Sequence, residues 1–592
     1  MFAMIASYVL SRTLVPTLAM YLLRNKTHGA TRNPFVRFQR GFENIFERVR
    51  ASYQFLLTRL VFSRKLFVPG FLLVCLCAFL IVPFLGQDFF PNTDSGEFIL
   101  HIRGKTGMRI EETARLADLV ESSIRETIPK REVNNILDNL GLPYSPMNTM
   151  HSTSGIIGAS DGDIMVTLNR DHHPTADYVR TLREKLPREF PGTLFYFLPA
   201  DITTQILNFG LPAPIDIQLQ SDDIAASSQQ ATALLQRLRQ VPGLTDLRIE
   251  QPTDYPTLDV SLDRTKAEQG GYTTLDVAQS MLNSLSGSFQ ITPMFYLNYK
   301  NGVDYNLVAQ TPQYRMDTLQ DIQNIPINSS TATPRATPEV LGDLTAIRRG
   351  HEPAIVSHYN IRRVVDIYGA VQDRDLGAVA KDVETIVHQQ QKQLPRGMFV
   401  SIRGQVQTMR SSYVSLLGGL GFAIVLVYML IVVNFQSWLD PFIIITALPA
   451  ALAGIVIFLF LTHTPLSVPA LMGAIMCMGV ATANSILVVS FAKIRLTDHS
   501  DAILAAIEAG ATRFRPVCMT ALAMIIGMVP MALGLGDGGE QNAPLGRAVI
   551  GGLLCATVAT LIFVPAVFAL VHGKKEGSES PQYEHDEQSE HA

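Results

Sequence analysis

Residues that could do chemistry are few in this chain and sit in three places. One is a run of small and polar residues inside an apolar stretch, Gly479-Val480-Ala481-Thr482-Ala483-Asn484-Ser485. Thr482 and Asn484 there are able to hydrogen-bond a neighbouring helix, or simply to pack against it as small polar residues do. The second is Met147, Met150 and His151, since soft thioethers select Cu(I). The third is His172-His173. Adjacent side chains in a regular element diverge, so these two do not converge on one ligand. No phosphate loop, nucleophile elbow or HExxH run occurs, so enzymatic chemistry has little support and no cofactor is implied. All five cysteines, Cys75, Cys77, Cys477, Cys518 and Cys555, fall in apolar stretches. The long polar region therefore has neither a disulfide framework nor a Cys-based zinc site.

The first of these groups is positioned by an apolar span, one of several in the chain. A run of about 20 apolar residues crosses the hydrocarbon as a helix. The candidates are Met1–Leu23, Leu66–Gly86, Tyr413–Val433, Pro441–Leu461, Val468–Ala492, Pro516–Leu535 and Ala548–Val571, seven spans in all. Only the first holds a charge, Arg12, which splits its apolar core and argues against a signal peptide. The last five hold no Asp, Glu, Lys or His within these bounds. Lys and Arg mark the cytoplasmic side. They crowd the stretch from Arg24 to Lys65, recur at Lys493, Arg495, Arg513 and Arg515, and follow the last span at Lys574 and Lys575. If the spans alternate, the region from Gln87 to Arg410 lies outside, in the periplasm of a Gram-negative cell. The basic loop carries Phe35, Phe38, Phe42, Ile45, Phe46 and Val49 at helical spacing, which fits a helix in the membrane interface or one packed on protein. A net charge of −4 with 47% hydrophobic residues does not suggest nucleic acid as a partner.

The outside region reads as repeated strand–helix–strand units. They are Glu97–Gly104, Arg109–Ile128 and Glu132–Asn139; then Asp163–Asn169, Ala176–Phe190 and Leu194–Leu198; then Ile215–Gln220, Ser227–Val241 and Leu247–Glu250; then Arg363–Val371, Ala378–Gln393 and Met398–Gly404. Alternation of this kind predicts α/β sandwiches with helices on one sheet face, of the ferredoxin-like type. The stretch Thr257–Asn328 breaks the rhythm and reads as an inserted subdomain. The expected organisation is a span at 1–23, a cytoplasmic loop with an amphipathic helix at 24–65, a span at 66–86, an α/β region at 87–410, five spans at 411–571 and a disordered cytoplasmic tail at 572–592.

Several motifs taken in order resemble the resistance–nodulation–division (RND) family, in particular its drug-efflux branch. They are Phe90-Pro91-Asn92-Thr93-Asp94-Ser95-Gly96-Glu97-Phe98 after a span, Phe435-Gln436-Ser437-Trp438 with Pro441, and the Gly479–Leu487 run. Arg513–Thr520, Gly527-Met528-Val529-Pro530, Gly536–Asn542 and Gly551-Gly552 complete the set. The resemblance covers essentially the whole chain but only the C-terminal half of such a pump, from its sixth span onward. It implies a bacterial inner-membrane secondary transporter, a homotrimer, driven by proton antiport. It also implies a periplasmic pore domain with an inserted docking piece at about 257–328, matching the break in rhythm. The implied partners are the lipid bilayer, a periplasmic adaptor, an outer-membrane channel and a missing N-terminal half. The alternatives are a non-transporting remnant, a split-pump subunit, or an exporter of heavy metals such as Cu or Ag.

The family's proton relay pairs two Asp of a fourth span with a Lys of the tenth. The Lys position here is Ala483. The resemblance leaves Asn484, Thr482, Thr520 and Arg513 as relay candidates, Thr520 matching a relay threonine and Arg513 a residue of the cytoplasmic proton path. The family's drug pocket is rich in Phe, and the matching positions make Leu140, Leu142, Tyr144, Met147 and Met165 pocket candidates. Tyr144, Met147, Met150 and Met165 could line an adaptable site, because Met re-packs easily. A surface loop plus a core methionine is the competing account.

Overall fold

A computed structural model of the chain describes residues 2–23, 34–142, 155–328, 339–499, 501–536 and 538–573. It divides into two compact units. The first comprises Met1–Leu85, Leu416–Leu535 and Asn542–Ala592, and the second Gly86–Ser415 with Gly536–Gln541.

The first unit is helical. Among the described residues six helices are long and apolar enough to cross a membrane: Arg64–Phe84, Gln405–Phe435, Leu439–Leu461, Val468–Asp498, Ala502–Ala532 and Ala543–His572. The expected first span is instead two helices, Phe2–Arg12 and Leu14–Leu23. Pro16 has no N–H to give the Arg12 carbonyl four residues back, and the helix breaks there. Each of the other six runs past its expected bound at one end or both, because a helix continues through charged residues at which apolarity stops, while Arg64–Phe84 and Ala502–Ala532 stop short of the expected Gly86 and Leu535. Helix Pro34–Phe62 carries Tyr53, Leu57 and Val61 on one buried face at i, i+4 spacing. Tyr53 stacks on Phe514 at 4.6 Å and donates to the Leu561 carbonyl at 2.7 Å. The second half of this helix thus packs on protein, while Ile45 and Val49 remain exposed.

Small residues let spans approach closely. Gly454 and Gly551 meet backbone to backbone, and Gly473 lies against Leu545 and Ala548.

The second unit is α/β. Its strands are β1 (Glu97–Arg103), β2 (Val133–Leu140), β3 (Asp161–Leu168), β4 (Leu194–Leu198), β5 (Ile215–Gln220), β6 (Leu244–Ile249), β7 (Tyr255–Leu262), β8 (Met294–Asn298), β9 (Val303–Leu307), β10 (Pro326–Ile327), β11 (Glu339–Val340), β12 (Thr345–Glu352), β13 (Ser357–Tyr359), β14 (Arg362–Val371) and β15 (Phe399–Gly404). One antiparallel sheet has the order β2-β3-β1-β4. Another has the order β13-β14-β5-β15, with β6 also paired to β14. Strand alternation gives each sheet two unlike faces. In the first, Phe98, Leu100, Ile102, Ile164 and Val166 form a core with helices Ile110–Thr127 and Thr175–Glu189, while His101, Asp161 and Asp163 point the other way. The fold class read from the sequence, a helical membrane bundle with α/β sandwiches, is the one observed.

The inserted piece differs from the expected Thr257–Asn328. Strand β7 begins at Tyr255 and pairs along its whole length with β12, which ends at Glu352. The piece has its own core of Ala267, Tyr272, Val277, Ile325, Ile327, Leu341 and Leu344. Its return strand was hidden because Thr345–Glu352 is largely polar and charged.

Candidate functional site

On helix Val468–His499, Asn484 is buried and its side-chain oxygen accepts a hydrogen bond from the Thr520 hydroxyl at 3.1 Å. Thr520 also donates to its own Val517 carbonyl at 3.0 Å. Thr482 is buried but directed to its own helix, donating to the carbonyls of Met478 and Gly479, each at 2.9 Å. That local bond is the usual use of a mid-helix threonine, so Thr482 does not join the Asn484–Thr520 pair. Arg513 lies over the Phe491 ring at 4.8 Å, and its Nε has no hydrogen-bond acceptor. Of the four relay candidates, the structure brings only Asn484 and Thr520 into contact.

Two further groups escaped the reading of the sequence as site residues. Ser485 and Thr560 are both fully buried, and their hydroxyls are 3.0 Å apart. Thr560 sits in a π-turn, Ala559–Phe563, a distortion frequent at functional positions. At the helix ends, Asp440 accepts from Lys493 Nζ at 2.9 Å and lies 3.3 Å from His572 Nε2. No Asp, Glu, Lys or His falls within the expected bounds of the last five spans, but the helices extend beyond those bounds. Leu439–Leu461, Val468–Asp498 and Ala543–His572 include Asp440, Lys493 and His572. The groups stay at the ends, where Asp440 meets the first turn of one helix and His572 the last turn of another, each on the side its helix dipole favours.

One face of the same bundle is open. Met472, Met476, Gly479, Ala483 and Leu487 are exposed at helical spacing on one span, and Met519, Leu522 and Ile526 on the next. Ala483, the family's Lys position, thus points away from the described bundle.

The pocket candidates divide. Met165 stands opposite Ile99 and Leu137 in the sheet register, on the face shared with Asp163 and Asp161. It is not a core methionine, since its neighbours Ile164 and Val166 are the ones turned to the helices. Leu140 pairs with Gly162 and packs on the helix-side core, so it does not share a face with Met165. Leu142 is exposed just past the strand. Tyr144 and Met147 lie outside the described residues, as do Met150 and His151.

Around Met165 the sheet carries a buried polar group. His101 Nδ1 is 2.6 Å from Asp163 Oδ1, and its Nε2 is 3.6 Å from Asp161 Oδ2. Arg103 Nε donates to Asp161 at 3.1 Å. Tyr196 stacks on His101 at 4.4 Å. Burial works against ionisation at Asp161, but His101 and Arg103 outweigh it and hold the carboxyl below the usual carboxylate range. Among the described residues no group of three or more His, Cys, Asp or Glu is arranged to hold a metal ion.

Membrane helices followed by a sheet-and-helix region of this order have counterparts. A profile of the AcrB/AcrD/AcrF family matches residues 1–572. The chain belongs to that family. RND proteins of this family are multi-pass inner-membrane transporters and not enzymes. The cobalt-zinc-cadmium resistance protein CzcA of Cupriavidus metallidurans is 25% identical over 584 residues, covering 98% of this chain and 52% of the relative. The multidrug resistance protein MdtC of Klebsiella pneumoniae is 27% identical over 585 residues, covering 95% and 52%. The crystal structure of a heavy metal efflux pump superposes with a TM-score of 0.75 at 24% identity, over 89% of this chain and 53% of that one. The chain spans about half the length of the curated relatives it matches. Membership of the RND family matches the resemblance drawn from the motifs. The drug-efflux branch is not borne out, since relatives named for metal resistance match more strongly than MdtC, although the identities are similar.

Proposed function

We propose that this chain is the C-terminal half of an inner-membrane RND exporter of organic, amphiphilic compounds, coupled to proton flow and working in a trimer. An N-terminal half supplies the other spans, and a periplasmic adaptor and an outer-membrane channel complete the path. The observation that carries the reading is the Asn484–Thr520 pair beside an uncovered apolar face. Coupling needs a group whose charge biases two conformations. An amide and a hydroxyl cannot change charge, but they can orient a carboxylate that approaches from another span across Ala483.

A second reading, export of heavy-metal cations, is favoured by CzcA and by the two aspartates around His101. Against it, Arg103 already neutralises Asp161, and a divalent ion would have to displace that guanidinium. Met165 on the same face suits a soft, adaptable contact for apolar ligands.

The test is susceptibility of a pump-deficient bacterium to dyes and drugs, and to cobalt, zinc and cadmium. Cells carry this chain alone, the chain with its companion half, or that pair with Asn484→Leu. Drug resistance should need both halves and fall more with Asn484→Leu than with Ser485→Ala. Full resistance from the chain alone, abolished by a protonophore, would sink the two-half reading. Protection against the metals only would favour the second.

A further inference from the structure

The five-stranded sheet has its own buried polar face, outside the membrane spans. Strand β5 alternates Ile215, Ile217 and Leu219, all buried, with Asp216 and Gln218 on the opposite face. Register then places Asp366 of β14 and Ser401 of β15 on either side of Gln218, and Tyr368 and Arg403 on either side of Asp216. Asp216, Gln218 and Asp366 are 0%, 6% and 4% exposed.

Their hydrogen bonds do not balance. Gln218 Nε2 donates to Asp216 Oδ2 at 3.0 Å, and Gln251 Nε2 donates to Asp366 Oδ2 at 2.7 Å. Asp216 Oδ1, Asp366 Oδ1 and Gln218 Oε1 are left as acceptors with no donor. Buried polar atoms are nearly always paired, so three orphan acceptors on neighbouring strands call for a missing donor.

The nearby cations do not supply it. Arg403 donates to the Tyr359 hydroxyl at 2.8 Å and lies over that ring, and its Nε has no acceptor. Arg248 pairs with Glu250 at 3.3 Å and lies 3.7 Å over the Tyr196 ring. Arg103 also comes within 4.0 Å of Glu250, but it is shared with Asp161. Four carboxylates, Asp161, Asp216, Asp366 and Glu250, thus face three guanidiniums, Arg103, Arg248 and Arg403, and one negative charge is left over. A single proton removes that charge, and the O–H it creates is a donor.

We infer that Asp216 and Asp366 hold one proton between them at neutral pH, which makes this sheet a proton-binding site independent of the membrane helices. The shift of both acids agrees in direction. Burial first, then a neighbouring carboxylate charge, raises each above the usual carboxylate range. Because the folded state binds the proton more tightly than the unfolded state, the sheet loses stability as pH rises above the ordinary carboxylate range, about tenfold in the folding constant per pH unit for one proton. The loss ends once the pair has ionised. Two bare carboxylates then lie on diagonal positions of β5 and β14, and the pairing of those strands weakens.

The experiment is infrared difference spectroscopy of the full chain in detergent, titrated from acid to alkaline pH, for wild type, Asp216→Asn and Asp366→Asn. Asp88 and Asp138, whose carboxyls are also raised, are present in all three and cancel in the comparison. The wild type should show a protonated-carboxyl stretch that disappears only above about pH 7 and is absent from either variant. If one variant loses its far-ultraviolet circular dichroism, the other decides, since both acids share the proton. A wild-type carboxyl signal in that range no larger than the signal of both variants overturns the inference. So does a band abolished at fixed pH by sodium, potassium or calcium chloride but not by choline chloride, which would make the site one for a metal cation.

Discussion

Replacing Gly454 or Gly551 by alanine tests the closest helix contact in the bundle. A Cβ at Gly454 would stand 2.4 Å from the Gly551 carbonyl oxygen and 2.6 Å from Cys555 Cβ. A Cβ at Gly551 would stand 2.2 Å from Phe458 Cβ and 2.7 Å from the Gly454 carbonyl oxygen. Both positions fall about 1 Å short of ordinary contact, and a gap of that size forfeits a quarter to a half of each dispersion well it opens. A backbone carbonyl cannot swing aside as a long side chain can, so the two spans must part. The expected loss is about 1–3 kcal/mol per substitution, the usual range for overpacking. Gly479 provides the contrast, because a Cβ there meets nothing within 4 Å. The assay is thermal denaturation of the purified full chain in detergent, followed by the monodisperse fraction on size exclusion. Gly454→Ala and Gly551→Ala should melt earlier than wild type, and Gly479→Ala should not. If all three melt with wild type, the spans do not approach as closely as described, and the argument from small residues fails.

Arg103→Met should cost about 3–5 kcal/mol by stranding the buried Asp161 carboxylate, and thermal denaturation should show part of that loss recovered when Asp161→Asn is added. Asp88 accepts from the Leu376 N–H at 2.8 Å, yet burial pushes its carboxyl up to about 6. The fold therefore favours its protonated form, and its contribution to stability should fall as pH rises from about 4 to 6 and then level off. Asp88→Asn should flatten that part of a melting-temperature profile. Lys493→Met should leave Asp440 with His572 alone. Since Lys493 is about half exposed, the cost should be nearer ~1 kcal/mol than that of a fully buried pair, and adding Asp440→Asn should cost no more.

Much of the α/β unit is legible because period-2 alternation survives without any tertiary knowledge. Ile215, Ile217 and Leu219 against Asp216 and Gln218 state both faces of β5 in five residues. Met165 could have been placed the same way, since Ile164 and Val166 beside it claim the core. The Asp440–Lys493–His572 cluster was lost for a different reason. Hydropathy ends a span at the first charge, so expected bounds at Pro441, Ala492 and Val571 each stopped one residue short of a member of the cluster. Partners 53 and 132 residues apart along the chain leave no local pattern, and only helix packing brings them together. Pro16 was a readable breaker inside Met1–Leu23, but composition outweighed it. The Ser485–Thr560 pair depends on a π-turn that no residue pattern announces.

The open face at Ala483 yields the sharpest remaining expectation. Asn484 and Thr520 are joined at 3.1 Å next to it, and neither can carry charge. If that face meets lipid, Ala483→Lys places an ammonium in hydrocarbon, at a cost of about 2.5–3.5 kcal/mol by insertion measurements. If it meets a companion half carrying carboxylates at the same depth, the new Lys finds a partner and the cost is largely offset. Membrane yield and melting temperature of Ala483→Lys should therefore be depressed when the chain is expressed alone and restored when the companion half is present. Ala483→Leu, of similar bulk without charge, should be tolerated alone. Equal damage from the Lys substitution in both backgrounds would show that no carboxylate approaches this face, and the proposed route for proton coupling past Asn484 would have to be abandoned.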